Sequence, residues 1–262
     1  MSTTNTGQLQ GGSKIQVIAR AARILRTLED APNGLSLGEI SALVDLPRST
    51  VQRIVKALAD EQLLISATPT SRVKLGPALV RLARATNLDI SNMVRPYLEK
   101  MGQALEETID LSVIEGSGAV FLDQLPGTHR LRAVSAIGER FPLHCTACGK
   151  SLLATLSTEK LNAVLAGPLE AFTRNTLTSG RSLKKEIDKI RSTGIATDME
   201  EHTEGIAAVS VSFFDPTGRA YAISIPAPTT RFRRNRKKFT QSLVETRNKI
   251  ISELDFERTS WL

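Results

Sequence analysis

Residues 35–62, LSLGEISALVDLPRSTVQRIVKALADEQ, hold two short helical patterns separated by a corner, and their reading decides the fold. Ser36 stands three residues before Glu39, the S-x-x-E form in which a hydroxyl and a carboxylate cap each other's backbone N–H at a helix start. The helix it opens carries Leu37, Ile40, Leu43 and Val44 on one face, and Asp45-Leu46 makes a tight corner. Pro47, with φ pre-set for a first helical turn, then starts a longer helix from Arg48 to Gln62. Val51, Ile54, Val55 and Leu58 form its inner stripe, while Arg48, Ser49, Thr50, Gln52, Arg53 and Lys56 point away from them. Two helices joined by a tight turn, the second carrying hydroxyl, amide and guanidinium groups near its start, fit the major groove of DNA. Such groups bind base edges and phosphates alike, so spacing alone does not sort them.

Working outward, a first helix reads from Gln16 to Glu29 on Ile18, Ala21, Ala22, Leu25 and Leu28, and Pro32-Asn33-Gly34 ends it. Downstream, Leu63–Ile65 and Arg72–Leu75 flank the turn-rich Ala67–Ser71, a hairpin wing that would bring Arg72 and Lys74 to the DNA backbone. Gly76-Pro77 then opens a helix from Ala78 to Ala85, read as a linker. Charge agrees. Residues 1–85 hold eleven basic and six acidic side chains, +5 of the chain's net +7, which is the electrostatic footprint of a DNA-binding module. The chain has 262 residues, room for two cores. It contains no run of about 20 apolar residues, and its start, MSTTNTGQLQGGSK, lacks a secretory h-region, so a cytoplasmic protein without a membrane segment is expected. Two cysteines, Cys145 and Cys148, suit a reducing compartment.

The succession ARAARILRTLED, GLSLGEISALVDLPRSTVQRIVKALADEQLL and VKLGPALVRLA resembles the DNA-binding half of the IclR (isocitrate lyase regulator) family of transcription factors. Further on, AIGERFPLHCTACGKSLLATL, GIATDMEEHTEGIAAVSVSFFDPTGR and AYAISIPAP are similar to the hallmark segments of that family's effector domain, so the likeness runs from Ser13 to Leu254. The resemblance implies a GAF/PAS-like sheet flanked by helices and a homodimer, or a dimer of dimers, on a palindromic double-stranded operator. Carried over position by position, it puts effector contacts at Ala147, Cys148, Asp198, Ile206, Ala208 and Ser224. It also marks two departures: Ala208 stands where many relatives have Cys, and Pro226 where they have a second Ser. Fewer polar contacts point to a ligand larger or less polar than a two- or three-carbon oxoacid, such as an aromatic acid.

The residues of the second half agree with a mixed domain. A helix spans Asn92 to Glu107 on Val94, Tyr97, Met101 and Leu105; strand-like runs follow at Ile109–Ile114, Ala119–Leu125, Leu131–Ser135, Gly205–Phe213 and Ala220–Pro226. Helices read at Cys148–Leu156, Thr158–Ala166, Ser182–Ser192 and Arg236–Leu254. The expected architecture is α+β: a tail (1–12), a winged helix-turn-helix (13–77), a linker helix (78–90) and an effector-binding and oligomerisation domain (91–262). Enzyme motifs fail on inspection. Gly149-Lys150-Ser151 lacks the P-loop glycine five residues before Gly149, where His144 stands, and His144-Cys145-x-x-Cys148 is a single CxxC with only His129 and His202 as further histidines. Packing thiols, no metal, no cofactor and no catalysis are expected. Thr146–Lys150 instead leads into a helix whose free N–H groups attract a small carboxylate. Asp198 and Ser224 read either as polar anchors there or as a solvated loop acid and a half-buried strand serine. The basic run Arg231–Lys238 reads as a solvated surface in preference to an accessory DNA or membrane contact.

Overall fold

A computed structural model describes residues 11–29, 31–65, 72–85, 89–254 and 256, and its contacts divide the chain into two units between 88 and 89. The expected tail over 1–10, the wing tip Ala67–Ser71 and positions 86–88 of the linker lie outside the described residues.

The first unit contains α1 (Gly11–Thr27), α2 (Leu37–Val44), α3 (Arg48–Asp60), β1 (Leu64–Ile65), β2 (Lys74–Leu75) and α4 (Pro77–Ala85). Ser36 and Glu39 form the expected capping box: Glu39 N–H donates to Ser36 Oγ at 3.2 Å and Ser36 N–H to Glu39 Oε2 at 2.7 Å. The corner turns because Asp45 adopts a left-handed conformation (φ 49°), which a short polar side chain tolerates. Pro47 is the residue preceding α3 rather than its first turn. Ile24, Leu28, Ile40, Val44, Val51, Ile54, Val55, Leu64 and Val73 close one core under all three helices and the wing. Leu35 bridges to Val73, and Gly76 lies so close to Gln62 that a Cβ would sit 2.2 Å from its carbonyl oxygen.

The second unit opens with α5 (Ile90–Leu105), capped by Asp89, which accepts from Asn92 N–H. Its sheet contains β3 (Ile109–Glu115), β4 (Gly118–Leu125), β5 (Arg140–Pro142), β6 (Ala196–Met199), β7 (Ile206–Phe214) and β8 (Ala220–Pro228), all antiparallel in the order β5-β4-β3-β8-β7-β6. Helices α6 (Ala147–Ala154), α7 (Thr158–Ala166) and α8 (Gly180–Thr193) cover one face, and α5 with α9 (Thr229–Leu254) the other. Strand alternation feeds both layers. Leu111, Val113, Val209, Val211, Ile223 and Ile225 join the α5/α9 core, while Ala119, Phe121 and Ala222 join the α6–α8 core.

Three expectations change. The run Leu131–Ser135 is not a strand: Leu131 and Val134 are exposed, and side chains rather than a ladder hold the segment, with Thr108 Oγ1 donating to Ala133 O (2.6 Å) and Ser135 N–H to Gln124 Oε1 (3.3 Å). The third strand on that edge is Arg140–Pro142. Strand β6 escapes the sequence pattern because its four residues, Ala196-Thr197-Asp198-Met199, are too few and too mixed to show an apolar alternation. The last helix begins at Thr229, seven residues before Arg236, so Arg231–Lys238 lies inside it. Arginine and lysine are good helix formers, and Phe232 is buried between them. Arg231 is not merely solvated; its guanidinium pairs with the buried Glu107 (Nη2 to Oε2, 2.8 Å).

Candidate functional site

Helix α3 exposes the residues expected to read a groove, with its apolar stripe turned inward. Arg48, Ser49, Gln52, Arg53 and Lys56 are exposed and Thr50 is half-buried, opposite the buried Val51, Ile54 and Val55. Thr50 and Arg53 also edge a groove whose other wall is Val17, Ile18, Arg20 and Ala21 of α1. In the wing, Lys74 is exposed. Arg72 has a second engagement that its sequence position did not announce: Nε donates to Gly34 O (2.7 Å) and Nη2 to both Glu39 carboxylate oxygens (2.9 and 3.1 Å). It clasps the wing to the start of α2 from a half-exposed position.

The second unit holds a cavity of about 200 Å³ between the sheet and the start of α6. All six residues carried over from the family resemblance line it: Ala147, Cys148, Asp198, Ile206, Ala208 and Ser224. Strand register explains the convergence. Asp198 pairs with Ala208 and Ala208 with Pro226, while Ser224 pairs on one side with Ser210 and on the other with Asp110. Two cross-strand rows therefore put both acids on the face toward α6. The reading of Asp198 as a solvated loop acid is excluded, since it sits on β6 with 5 % of its surface exposed. Ser224 is equally covered, at 3 %.

Around these stand residues that the sequence did not single out. Asp110 is buried, and Gln124 Nε2 donates to its Oδ1 at 2.6 Å. Phe121, Phe141 and His202 form a chain of tilted rings along the wall, with centroids 4.9 and 5.0 Å apart. Ala133, Val134 and Ser135, the segment expected as a strand, lie at the rim. A period-2 count would have placed Asp110 on the same face as Ser112; nothing local marked the rings as neighbours. Among the described residues lining the cavity there is neither lysine nor arginine.

Burial sets the electrostatics. Removal from water pushes the Asp110 carboxyl up to about 7, against the Gln124 hydrogen bond, and does the same to Asp198, against the N–H donated by Glu201. Burial lowers the pKa of His202. The cysteine thiols rise likewise, Cys145 to about 12 and Cys148 to about 11, as inert packing thiols do. Lys150 is fully buried, but its ammonium donates to Glu201 Oε1 instead of facing the cavity. Helix α6 comes this close because position 149 is glycine: a Cβ there would lie 2.5 Å from the Leu143 backbone. Thr146 caps it, accepting from Gly149 N–H at 3.1 Å. Among the described residues no three His, Cys, Asp or Glu side chains converge as metal ligands, and no helix is long and apolar enough to cross a membrane.

Both units match known families. Residues 17–65 fit the IclR helix-turn-helix domain and residues 82–252 the C-terminal domain of bacterial IclR transcriptional regulators. The HTH-type transcriptional regulator Rv1719 of Mycobacterium tuberculosis is 43 % identical over 232 residues, covering 88 % of this chain and 89 % of that protein. The HTH-type transcriptional regulator TtgV of Pseudomonas putida is 38 % identical over 257 residues, covering 98 % and 95 %. Among solved structures, an IclR homologue from Microbacterium hydrocarbonoxydans complexed with 4-hydroxybenzoate shares the fold, with a TM-score of 0.60 at 23 % identity over 91 % of this chain and 99 % of that one. With a winged helix-turn-helix in one unit and a helix-flanked antiparallel sheet in the other, the chain belongs to the IclR family of DNA-binding transcriptional regulators.

Proposed function

We propose that this regulator binds a palindromic operator through α3 and the wing, and that a small aromatic organic acid in the α6 cavity sets its operator affinity. The observation that carries the reading is the convergence of Ala147, Cys148, Asp198, Ile206, Ala208 and Ser224 on one cavity. Its volume of about 200 Å³ exceeds the roughly 150 Å³ that holds a benzene ring, so one ring with its substituents fits. Phe121 and Phe141 offer that ring an apolar wall, and the first turn of α6 offers backbone N–H groups to an acidic oxygen. The 4-hydroxybenzoate in the Microbacterium homologue is a ligand of the same kind.

On the DNA side, Arg48, Ser49, Thr50, Gln52, Arg53 and Lys56 contact bases and phosphates, and Lys74 a phosphate; Arg72 acts chiefly by holding the wing. Two copies bind as a homodimer, with tetramers as pairs of dimers, because two recognition helices on one symmetry axis match a palindrome. Val17 and Ile18, large apolar residues left exposed on α1, support such an association. The work is done in the cytoplasm, where operator DNA is. Selection of bound duplexes from a random pool by the full chain tests the reading. Enrichment of a palindrome whose binding shifts on adding 4-hydroxybenzoate or a related aromatic supports it; a pool without sequence preference overturns it.

A further inference from the structure

A cavity that holds an anion gains from a cationic side chain, and the side chains of this one supply the opposite sign. Its described lining contains two buried carboxyl groups, Asp110 and Asp198, and no lysine or arginine. The buried Lys150 is paired with Glu201, and its charge also reaches Asp198, where it offsets part of the effect of burial. Asp198 is further surrounded by Glu201, whose backbone N–H it accepts, and by His202, which burial holds toward its neutral form. Asp110 faces Gln124 on β4, Ser224 on β8 and the neutral Cys148 thiol on α6. Toward the cavity stand the two acids, hydroxyls, the His202 imidazole and the Cys148 thiol, besides the backbone N–H groups at the start of α6, and it is the two acids that call for donors from the ligand.

We propose that Asp110, together with Asp198, makes this cavity prefer the neutral, hydrogen-bond-donating form of a small aromatic, such as a phenol, an aromatic alcohol or a protonated aromatic acid, over the free carboxylate anion. The inference rests on the reading of the cavity as the effector site and narrows it: the backbone N–H groups of α6 act on a neutral oxygen, while the acids accept from the ligand's hydroxyl. An anion brought beside two carboxyls in a low-dielectric pocket needs one of them protonated first. Burial makes that proton available near neutrality, since both acids titrate at about 7.

The test is calorimetry on the full chain with 4-hydroxybenzyl alcohol and 4-hydroxybenzoate, which share a ring and differ at one end in charge. At pH 8 the alcohol is expected to bind about tenfold tighter or more. Lowering the pH to 6 should raise the affinity for 4-hydroxybenzoate and leave that for the alcohol nearly unchanged. Asp110→Asn, nearly isosteric, should improve 4-hydroxybenzoate binding several-fold at pH 8 and narrow the ratio; Asp198→Asn provides the same comparison at the other acid, with circular dichroism checking that each variant is folded. Equal or tighter binding of 4-hydroxybenzoate at pH 8 overturns this inference and leaves the effector site standing. A ratio unmoved by both substitutions also overturns it. Failure of both compounds to bind overturns the inference together with the site.

Discussion

Lys150 shows how far a residue's meaning can lie from its neighbours in sequence. In the string Gly149-Lys150-Ser151 it imitates a phosphate-binding loop, yet in the fold it is wholly buried and neutralised by Glu201, fifty-one positions away. Breaking such a pair from one side leaves a bare buried charge. Glu201→Gln is expected to lower the stability of the second unit by about 3–5 kcal/mol, and Lys150→Met together with Glu201→Leu by much less; urea denaturation of the three proteins measures both. The cavity acids make a second prediction. Their folded pKa values lie near 7, above the roughly 4 of an unfolded chain, so the stability they contribute is full below pH 4 and is lost as the pH rises to 7. Asp110→Asn removes the Asp110 share of that dependence and leaves that of Asp198. The variant should gain on the parent by a few kcal/mol between pH 4 and pH 7 and no further above it, as read from denaturation midpoints across that range. The six carried-over positions could be placed at one cavity from the sequence because each sat in a recognisable segment. Asp110 and the rings could not, since only the register of β3 on β8 and the packing of β4 and β5 bring them to the cavity.

Among the elements, those whose signals were local came through the sequence intact. The capping box at Ser36, the left-handed corner at Asp45 and the two-faced pattern of α3 are all decided within a few residues. Ser36→Ala should therefore cost the first unit about 1 kcal/mol by thermal denaturation, with weaker operator binding only near its melting temperature. On α3, Arg53→Ala should weaken operator binding and, if Arg53 holds a phosphate, reduce the slope of log affinity against log salt by about 1; Gln52→Ala should weaken binding and relax sequence preference with the slope kept. Fluorescence anisotropy over a salt series separates the two roles. The elements that went astray were decided by distant partners. Leu131–Ser135 alternates like a strand, but Thr108 and Gln124 engage its backbone from outside any ladder. Strand β6 forms because β7 offers it an edge, and the basic start of α9 is helical because Phe232 is anchored beneath it.

At the scale of the whole chain, there are two units with separate cores. Ile24, Ile40, Val51 and their neighbours complete the first core without help from the second, whose sheet is covered on both faces by its own helices. Scanning calorimetry of the full chain should accordingly resolve two transitions, with a cavity ligand raising one and operator DNA the other. A single transition moved by both would mean the units melt as one. The second unit also contains Cys145 and Cys148, each beneath the surface with its thiolate strongly disfavoured. A maleimide or disulfide reagent will find neither until that unit opens, so the protein has a built-in clock: the labelling rate reads how often the second unit breathes, without a probe being added and without the first unit contributing to the signal.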